Sequence, residues 1–307
     1  MPHRPSILDW ILLFVLVITW GASFTAIKVA ITDITPAWLA AFRLIIATVL
    51  MAVFARVAGI RPPKGSHEWM IAAILGVIGT ALPFIFISWA SLYVPSGIAG
   101  LMMATNPMLV LLLAILFLPD EQPTLMRVTG LLVGFTGVAL VIVGRPGALE
   151  QGALDIGPDF SLLAFAALVL AALGYAINNV AGRRATSMPH TTRGYGALLT
   201  AAPAATILAL FLEPFPIQVS LQSAGATLYL AILPTWIATL ILYRLIAQTS
   251  AGFVAQSNYL VPATAILLGA LMLGETLGTL QYVGFAAILL GIAIAENVIQ
   301  LKRAKRG

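Results

Sequence analysis

The chain has 307 residues, of which 61% are hydrophobic and 9% are charged, with a formal net charge of +5. Soluble domains contain about 45–50% apolar and about 25% charged residues, so the composition excludes an ordinary soluble fold and a disordered chain. The sixteen Lys and Arg are scattered between apolar runs, which excludes a nucleic-acid-binding surface. There is no cysteine, and therefore no disulfide or thiolate chemistry. These features predict a protein that crosses a membrane several times.

Long uncharged runs follow one another along the chain. A helix crosses the ~30 Å hydrocarbon layer in about 20 residues. The stretch between Glu68 and Asp120 has no charged residue and has room for two crossings, separated by a turn at 93–97. We predict an all-α membrane protein with ten transmembrane helices, because strands would give short alternating segments. The predicted helices span 9–31, 36–57, 69–93, 96–118, 124–144, 160–185, 191–212, 221–245, 252–273 and 278–299.

The basic residues predict the orientation of these helices. The first apolar stretch, from Trp10 to Ile27, is longer than a signal-peptide core and lacks a small-residue cleavage site, so we expect it to remain as helix 1. Thirteen basic residues fall at one set of helix ends, against two, Lys28 and Arg145, at the other. Both termini should therefore be cytoplasmic. The thirteen are Arg4, Arg56, Arg61, Lys64, Arg127, Arg183, Arg184, Arg193, Arg244, Lys302, Arg303, Lys305 and Arg306.

The two halves of the sequence align at an offset of 155 positions, from Trp20 with Tyr175 to Asp120 with Glu275. Each half holds five predicted helices, and an odd number turns the second repeat upside down. Inverted repeats are typical of secondary transporters, whose substrate site lies near the midplane. We predict repeats at 1–147 and 159–299, a periplasmic linker at 148–158 and a basic cytoplasmic tail at 300–307. Other aligned pairs are Lys28 with Arg183, Thr80 with Thr235, Gly97 with Gly252 and Pro107 with Pro262, then, after a one-residue slip, Gly130 with Gly284 and Gly137 with Gly291.

Three parts of the sequence share the pattern of a known family: Trp20-Gly21-Ala22-Ser23-Phe24, Arg43, and Pro262 through Leu273-Gly274-Glu275 to Gly284 and Gly291. They resemble the EamA family of the drug/metabolite transporter superfamily. The resemblance covers almost the whole chain, and within the family the sequence looks most like the YddG-type exporters of aromatic amino acids. It implies export from the bacterial cytoplasm across the inner membrane, through a cavity lined mainly by helices 1, 3, 4, 6, 8 and 9. Helices 5 and 10 would pack outside it, and their glycines favour close contact with each other or across a dimer.

Polar and aromatic side chains at membrane depth are the candidates for a substrate site. Such sites are mostly apolar with a few aimed polar groups. Tyr175 and Asn178 share one face of helix 6, and the aligned Trp20 and Ser23 have the same spacing on helix 1. The alternative is that these groups form helix–helix hydrogen bonds. The predicted substrate-binding residues are Trp20, Ser23, Thr80, Asn106, Tyr175, Asn178, Thr235, Tyr243, Asn258 and Tyr259.

Two prolines and two cations complete the candidate site. Pro107 and Pro262 occupy equivalent places in helices 4 and 9, where each frees a backbone carbonyl. We predict that they act as hinges, with a simple packing kink as the alternative. Arg43 is a basic residue well inside a span, where such residues usually face the protein interior and are paired. We predict a functional polar network that includes Arg43 and Lys28. The alternatives are a purely structural bond from Arg43 to backbone carbonyls and a Lys28 side chain that extends to the membrane surface.

Acidic residues and histidines fall only at predicted helix ends or in loops, so the chain lacks the embedded proton carrier that proton-driven exporters use. It also differs from the small multidrug transporters of this superfamily, which carry a glutamate in the first helix. We therefore predict a secondary transporter that exports aromatic or other neutral amino acids and related metabolites by alternating access, and the sequence leaves open whether it is an uncoupled facilitator or is coupled to an ion. The alternatives are a proton-coupled exporter of organic cations and a non-selective metabolite channel. We expect a lipid bilayer and a small-molecule substrate as partners, no nucleic acid, no cofactor or metal, no enzyme activity, and a monomer or homodimer.

Overall fold

A computed structural model describes residues 5–117, 124–144, 161–185, 188–249, 253–254 and 256–295. Within these ranges the regular secondary structure is entirely helical. The predicted linker at 148–158 and tail at 300–307 lie outside the described residues. The helices are α1 (Ile7–Ala30), α2 (Pro36–Val57), α3 (Gly65–Ala90), α4 (Ser96–Phe117), α5 (Leu125–Val143), α6 (Ser161–Arg184), α7 (His190–Leu212), α8 (Leu221–Ala231, Ile232–Ile237 and Ala238–Gln248 in succession), α9 (Ser257–Leu273) and α10 (Thr279–Ala295).

Eight of the described helices, α1 to α8, are long and apolar enough to cross a membrane, and α9 and α10 are shorter apolar helices. The predicted all-helical membrane protein is therefore confirmed, while the count of ten spans stays a prediction.

Local sequence motifs determine where some of the helices begin and end. Ser6 and Asp9 form a capping box at the start of α1, with the Ser6 amide donating to Asp9 Oδ2 at 2.8 Å. Gly274 ends α9 with a φ of 66°, a conformation that glycine adopts without strain.

Two of the long helices contain a wider turn that the sequence did not predict. In α3 the segment Ile74–Ala81 is π-helical, and in α8 the segment Ile232–Ile237 is too. Proline accounts for both, because Pro83 follows the first segment and Pro234 lies within the second, and each removes one backbone amide. Such π-segments are rare and are often found at functional sites.

The packing of the helices repeats when the two halves are exchanged. In one direction α1 packs against α8 and α9, and in the other α6 packs against α3 and α4. Three further pairs join equivalent helices of the two halves, namely α2 with α7, α4 with α9 and α5 with α10. Because α6 to α10 correspond to α1 to α5, this is the pattern of two similar units related by a pseudo-two-fold axis. The centre of the molecule is therefore a seam between the halves.

The pair α5 and α10 forms the most extensive helix–helix contact. A Cβ atom added to Gly137 would lie 2.6 Å from the carbonyl oxygen of Gly284, and one added to Gly284 would lie 2.6 Å from the oxygen of Gly137. Gly130 and Gly291 approach each other in the same way, at 2.5 and 2.6 Å. The glycines therefore let the two backbones touch, as in other small-residue membrane interfaces. Of the two predicted arrangements, packing within one chain is the one observed.

At one end of the bundle, carboxylates cap helices that belong to the opposite half. Asp33, after α1, accepts hydrogen bonds from the Ser220 amide at 3.1 Å and the Ser220 hydroxyl at 2.5 Å, at the start of α8. Glu213, after α7, accepts one from the Ala37 amide of α2 at 2.8 Å. The bonds from Ser220 and Ser223 hold the pKa of Asp33 below its ordinary value. Carboxylates are favourable at these positions because helix N-termini carry unpaired amides and partial positive charge.

A third cap of the same kind lies at this end. Glu275, after α9, accepts hydrogen bonds from the Ser96 amide at 2.7 Å and the Ser96 hydroxyl at 2.8 Å, at the start of α4. Lys28, near the end of α1, donates to the carbonyls of Ser91 at 2.5 Å and Val94 at 3.2 Å, between α3 and α4. The ends of α1, α3, α7 and α9 thus meet the starts of α2, α4 and α8.

Candidate substrate site between the two halves

Arg43 lies at the centre of the seam, about 10 Å along α2 from its start. Its side chain is buried, with 6% of the residue exposed. Its Nε donates a hydrogen bond to Thr235 Oγ1 of α8 at 2.7 Å, and its Cζ lies 3.7 Å from the ring centroid of Phe84 on α3. The guanidinium is therefore held by a hydroxyl from the second half and by a cation–π contact from the first half.

In the part of the chain that the structure describes, the surroundings of Arg43 are polar but not anionic. The phenols of Tyr175 on α6 and Tyr229 on α8 lie within electrostatic range of the guanidinium. The Tyr229 hydroxyl donates a hydrogen bond to the Thr19 carbonyl at 3.1 Å, so it is not available to donate to another group. Within the described part of the chain, the two terminal nitrogens of Arg43 have no hydrogen-bond partner, and neither has the hydroxyl of Tyr175. Among the described residues, the site therefore has a positive charge and a phenol without a hydrogen-bond partner, and no carboxylate that neutralises the charge.

The predicted residues Thr80 and Thr235 occupy equivalent places at the two π-segments. Thr80 Oγ1 donates to the carbonyl of Leu75 at 2.9 Å, and Thr235 Oγ1 donates to the carbonyl of Leu230 at 2.7 Å. Leu230 is four residues before Pro234, so its carbonyl would otherwise lack an amide partner. The two threonines thus stabilise the wide turns, and only Thr235 also accepts a bond from Arg43. This difference breaks the symmetry between the halves at the candidate site.

Trp20 and Asn178 bind backbone carbonyls of the opposite half. Trp20 Nε1 on α1 donates to the Pro234 carbonyl on α8 at 3.1 Å, and Asn178 Nδ2 on α6 donates to the Gly79 carbonyl on α3 at 3.1 Å. Gly79 is the residue whose carbonyl Pro83 leaves free. Gly79 and Pro234 are themselves equivalent positions of the repeat. The predicted faces of α1 and α6 therefore do meet the other half, through the helix–helix hydrogen bonds that the sequence left as the alternative.

The remaining predicted polar residues lie in several places. Ser23 Oγ donates to the Trp20 carbonyl at 2.5 Å, and Asn106 Nδ2 of α4 donates to the Ala172 carbonyl of α6 at 3.1 Å. Asn258 and Tyr259 are half-buried in the first turn of α9, and Tyr259 packs against the main apolar core. Tyr243 lies in the last part of α8, with its side chain outside the described part of the structure. A substrate role for these residues stays a prediction.

The two prolines differ in their surroundings. Pro107 follows a short 3₁₀ turn, Met103–Thr105, and the Met103 carbonyl that it would free accepts the Asn106 amide instead. Pro262 is buried inside α9. A break in α4 next to Pro107 is compatible with the predicted hinge.

The two predicted cations, Lys28 and Arg43, have different partners among the described contacts. Lys28 donates to the turn after α3, whereas Arg43 contacts α8 and Phe84.

Three side chains at this seam were not identified from the sequence. Phe84 stacks on Arg43, Tyr229 joins α8 to α1, and Trp236, next to Thr235, has a buried Nε1 without a partner among the described residues. No motif or spacing marks any of them, because their roles depend on which helices meet. Phe84 and Tyr229, together with Tyr175, make the surroundings of the guanidinium aromatic.

Comparisons with known proteins agree with this architecture. The chain is 28% identical over 285 residues to a protein of Streptantibioticus cattleyicolor named "Probable terminal-alkyne amino-acid exporter", covering 92% of this chain and 91% of the relative. It is 25% identical over 284 residues to the "Uncharacterized inner membrane transporter YedA" of Escherichia coli K12, covering 92% of this chain and 88% of the relative. A solved crystal structure shares the fold, with a TM-score of 0.66 and 20% identity over 94% of this chain and 96% of that one.

The family comparison assigns each half separately. The model of the EamA-like transporter family matches residues 9–143 and again residues 162–296. These two matches account for most of the chain and lie in the two halves whose helices pack symmetrically. Together with the apolar helices and the relatives named as transporters, they describe a multi-pass membrane transporter rather than an enzyme. The chain belongs to the EamA-like transporter family.

Proposed function

We propose that the protein is a bacterial inner-membrane secondary transporter that exports neutral amino acids, aromatic ones among them, and related small metabolites by alternating access. The observation that carries this proposal is the polar, aromatic site around Arg43, inside the span of α2, where elements of both halves meet. Transporters built from repeats bind substrate at such a position. A site made from both halves changes its exposure when the halves move against each other.

The topology that we propose has ten spans in two inverted repeats, with α9 and α10 as the last two. It is supported by the caps at one end of the bundle, where the ends of α1, α3, α7 and α9 meet the starts of α2, α4 and α8. Each helix of the first half, α1 to α5, would then cross the membrane in the direction opposite to that of its repeat equivalent, α6 to α10. The distribution of basic residues makes this end periplasmic and both termini cytoplasmic.

The substrate class rests on the composition of the site and on one relative. Aromatic side chains and a few polar groups suit an amino acid, and the relative from Streptantibioticus cattleyicolor is named as an amino-acid exporter. The narrower likeness to the YddG-type exporters belongs to the same proposal. Each carboxylate among the described residues lies near a helix end or in a turn, namely Asp9, Asp33, Glu68, Glu213 and Glu275. This favours facilitated export down the substrate gradient over proton antiport.

A reconstitution experiment tests the proposal. The purified chain is placed in proteoliposomes, and uptake of all twenty amino acids is measured at two pH values, with and without a proton gradient. We expect saturable, stereoselective transport of a subset of neutral amino acids, with protein-free liposomes as the control and little change when the gradient is imposed. Equal rates for all solutes below one size would instead indicate a channel. Transport of organic cations driven by the proton gradient would indicate a multidrug exporter.

A further inference from the structure

The buried Arg43 guanidinium lacks a counter-ion among the described residues. Its exposed fraction is 6%, and its described partners are a neutral hydroxyl and an aromatic ring. Transfer of an unpaired charge from water into a low-dielectric interior is costly, so buried cations are normally paired with an anion. In membrane proteins such a residue usually serves a substrate or ion pathway. The missing negative charge therefore points to a ligand.

The two contacts of Arg43 also determine which of its donors remain available. Nε is used by Thr235, and Phe84 covers one face of the guanidinium plane. The two terminal nitrogens are left without a described partner. A guanidinium presents these nitrogens as a fixed fork that matches the two oxygens of a carboxylate, which is why arginine binds carboxylates in a bidentate manner. An ammonium or another cation would be repelled here.

Tyr175 supplies a second donor within electrostatic range of Arg43. It is half-buried on α6, within electrostatic range of Arg43, and its hydroxyl has no hydrogen-bond partner in the described part of the chain. Its repeat equivalent, Trp20, instead donates to a backbone carbonyl. A phenol in the same site as a guanidinium can donate a further hydrogen bond to a bound anion.

We propose that Arg43 binds the carboxylate of the transported molecule through its terminal nitrogens, with the Tyr175 hydroxyl as an additional donor. This inference rests on the proposed function and adds that the carboxylate is the obligatory part of the substrate. The substrates are accordingly carboxylates, such as amino acids and simple aryl carboxylates. Esters, amides and amines of the same shape are excluded.

Binding of four matched probes to the purified full-length chain in detergent tests this inference. The probes are phenylalanine, phenylalaninamide, phenylacetate and phenethylamine, which separate the carboxylate from the ammonium group. Affinity is measured by isothermal titration calorimetry and by the shift of the thermal unfolding temperature. We expect phenylalanine and phenylacetate to bind, and the amide and the amine to bind at least tenfold more weakly.

Variants then assign the effect to the side chains. We expect Arg43→Gln to raise the Kd of phenylacetate at least tenfold and Tyr175→Phe to raise it about two- to fivefold. Arg43→Lys retains the charge without the fork, and should fall between the wild type and Arg43→Gln. Arg56→Gln, an exposed position on the same helix, is the control and should bind like the wild type. If Arg43→Gln does not fold, the probe series on the wild type and the Tyr175→Phe variant still decide the outcome.

The possible results separate this inference from the proposed function. Arg43-dependent binding of phenylacetate, in a protein that transports no amino acid, would support the carboxylate site and contradict the amino-acid substrate. Transport of amino acids together with equal affinity for phenylalanine and phenylalaninamide would overturn the carboxylate site and leave the transporter assignment intact. Unchanged carboxylate affinity in a folded Arg43→Gln variant, or no binding of either carboxylate probe, would also overturn it.

Discussion

Replacement of Thr235 by valine tests how Arg43 is positioned, because the chain provides its own matched comparison. Thr235 and Thr80 occupy equivalent places on the two π-segments, and each donates to the carbonyl five residues earlier, at 2.7 and 2.9 Å. Only Thr235 also accepts the Arg43 Nε bond at 2.7 Å. Thr235→Val and Thr80→Val therefore remove the same backbone bond, and the first alone releases the guanidinium.

The size of the effect follows from these contacts. Loss of one hydrogen bond from a side chain to a carbonyl of its own helix costs about 0.5–1.5 kcal/mol, so both variants should unfold at lower temperatures. Thr235→Val additionally leaves the Nε of a buried cation unpaired, a group whose hydrogen bonds are worth about 1.5–3 kcal/mol. Part of this energy is lost in the unliganded protein as well and therefore does not change the affinity. We expect the Kd for phenylacetate to rise about three- to tenfold more in Thr235→Val than in Thr80→Val. Calorimetry measures the loss of affinity in each variant, and thermal unfolding measures the loss of stability. Equal effects of the two variants on affinity would refute the positioning role of Thr235.

Two further predictions concern stability. Gly137→Ala places a Cβ 2.6 Å from the Gly284 oxygen, so it should lower stability by about 1–3 kcal/mol in thermal unfolding, whereas Gly225→Ala, with nothing within 4 Å, should be neutral or slightly stabilising. A small Gly137→Ala effect would mean that α5 and α10 separate easily. Asp33→Asn should lower the unfolding temperature near pH 7. Because the folded pKa of Asp33 is depressed, its contribution is complete above the unfolded value of about 3.9 and is lost as the pH falls through the folded value, so wild type and variant should converge below about pH 4. A constant difference down to pH 3 would argue against the cap.

The composition and the regular spacing of charged residues, prolines and glycines predicted most of the fold. Uncharged runs of the length of a bilayer predicted the helices, and the offset between Trp20 and Tyr175 revealed the two units that the family comparison also separates. Glycines spaced on helices 5 and 10 predicted a close contact, which α5 and α10 make. These features are visible in sequence because the membrane imposes one length and one polarity on every span.

The candidate site was predicted less completely, because its contacts join helices that are distant in sequence. Arg43 was identified as a cation inside a span, but its partners Thr235 and Phe84 come from two other helices. The π-segments were missed because Pro83 and Pro234 show only that a hydrogen bond is lost, and not how the backbone accommodates the loss. Trp20 was predicted for its aromatic ring, whereas the structure shows that its indole nitrogen binds a carbonyl of the other half.

Distance measurements between spin labels test alternating access most directly. The chain has no cysteine, so pairs of cysteines introduced for labelling are unique. One pair, Leu92 and Ile217, reports on the capped end, and the other, Ile7 and Pro189, reports on the opposite end. When the best substrate of the transport screen is added, the proposed function predicts that one pair lengthens while the other shortens. Distances that stay constant at both ends, or change together, in a protein that still transports would contradict it.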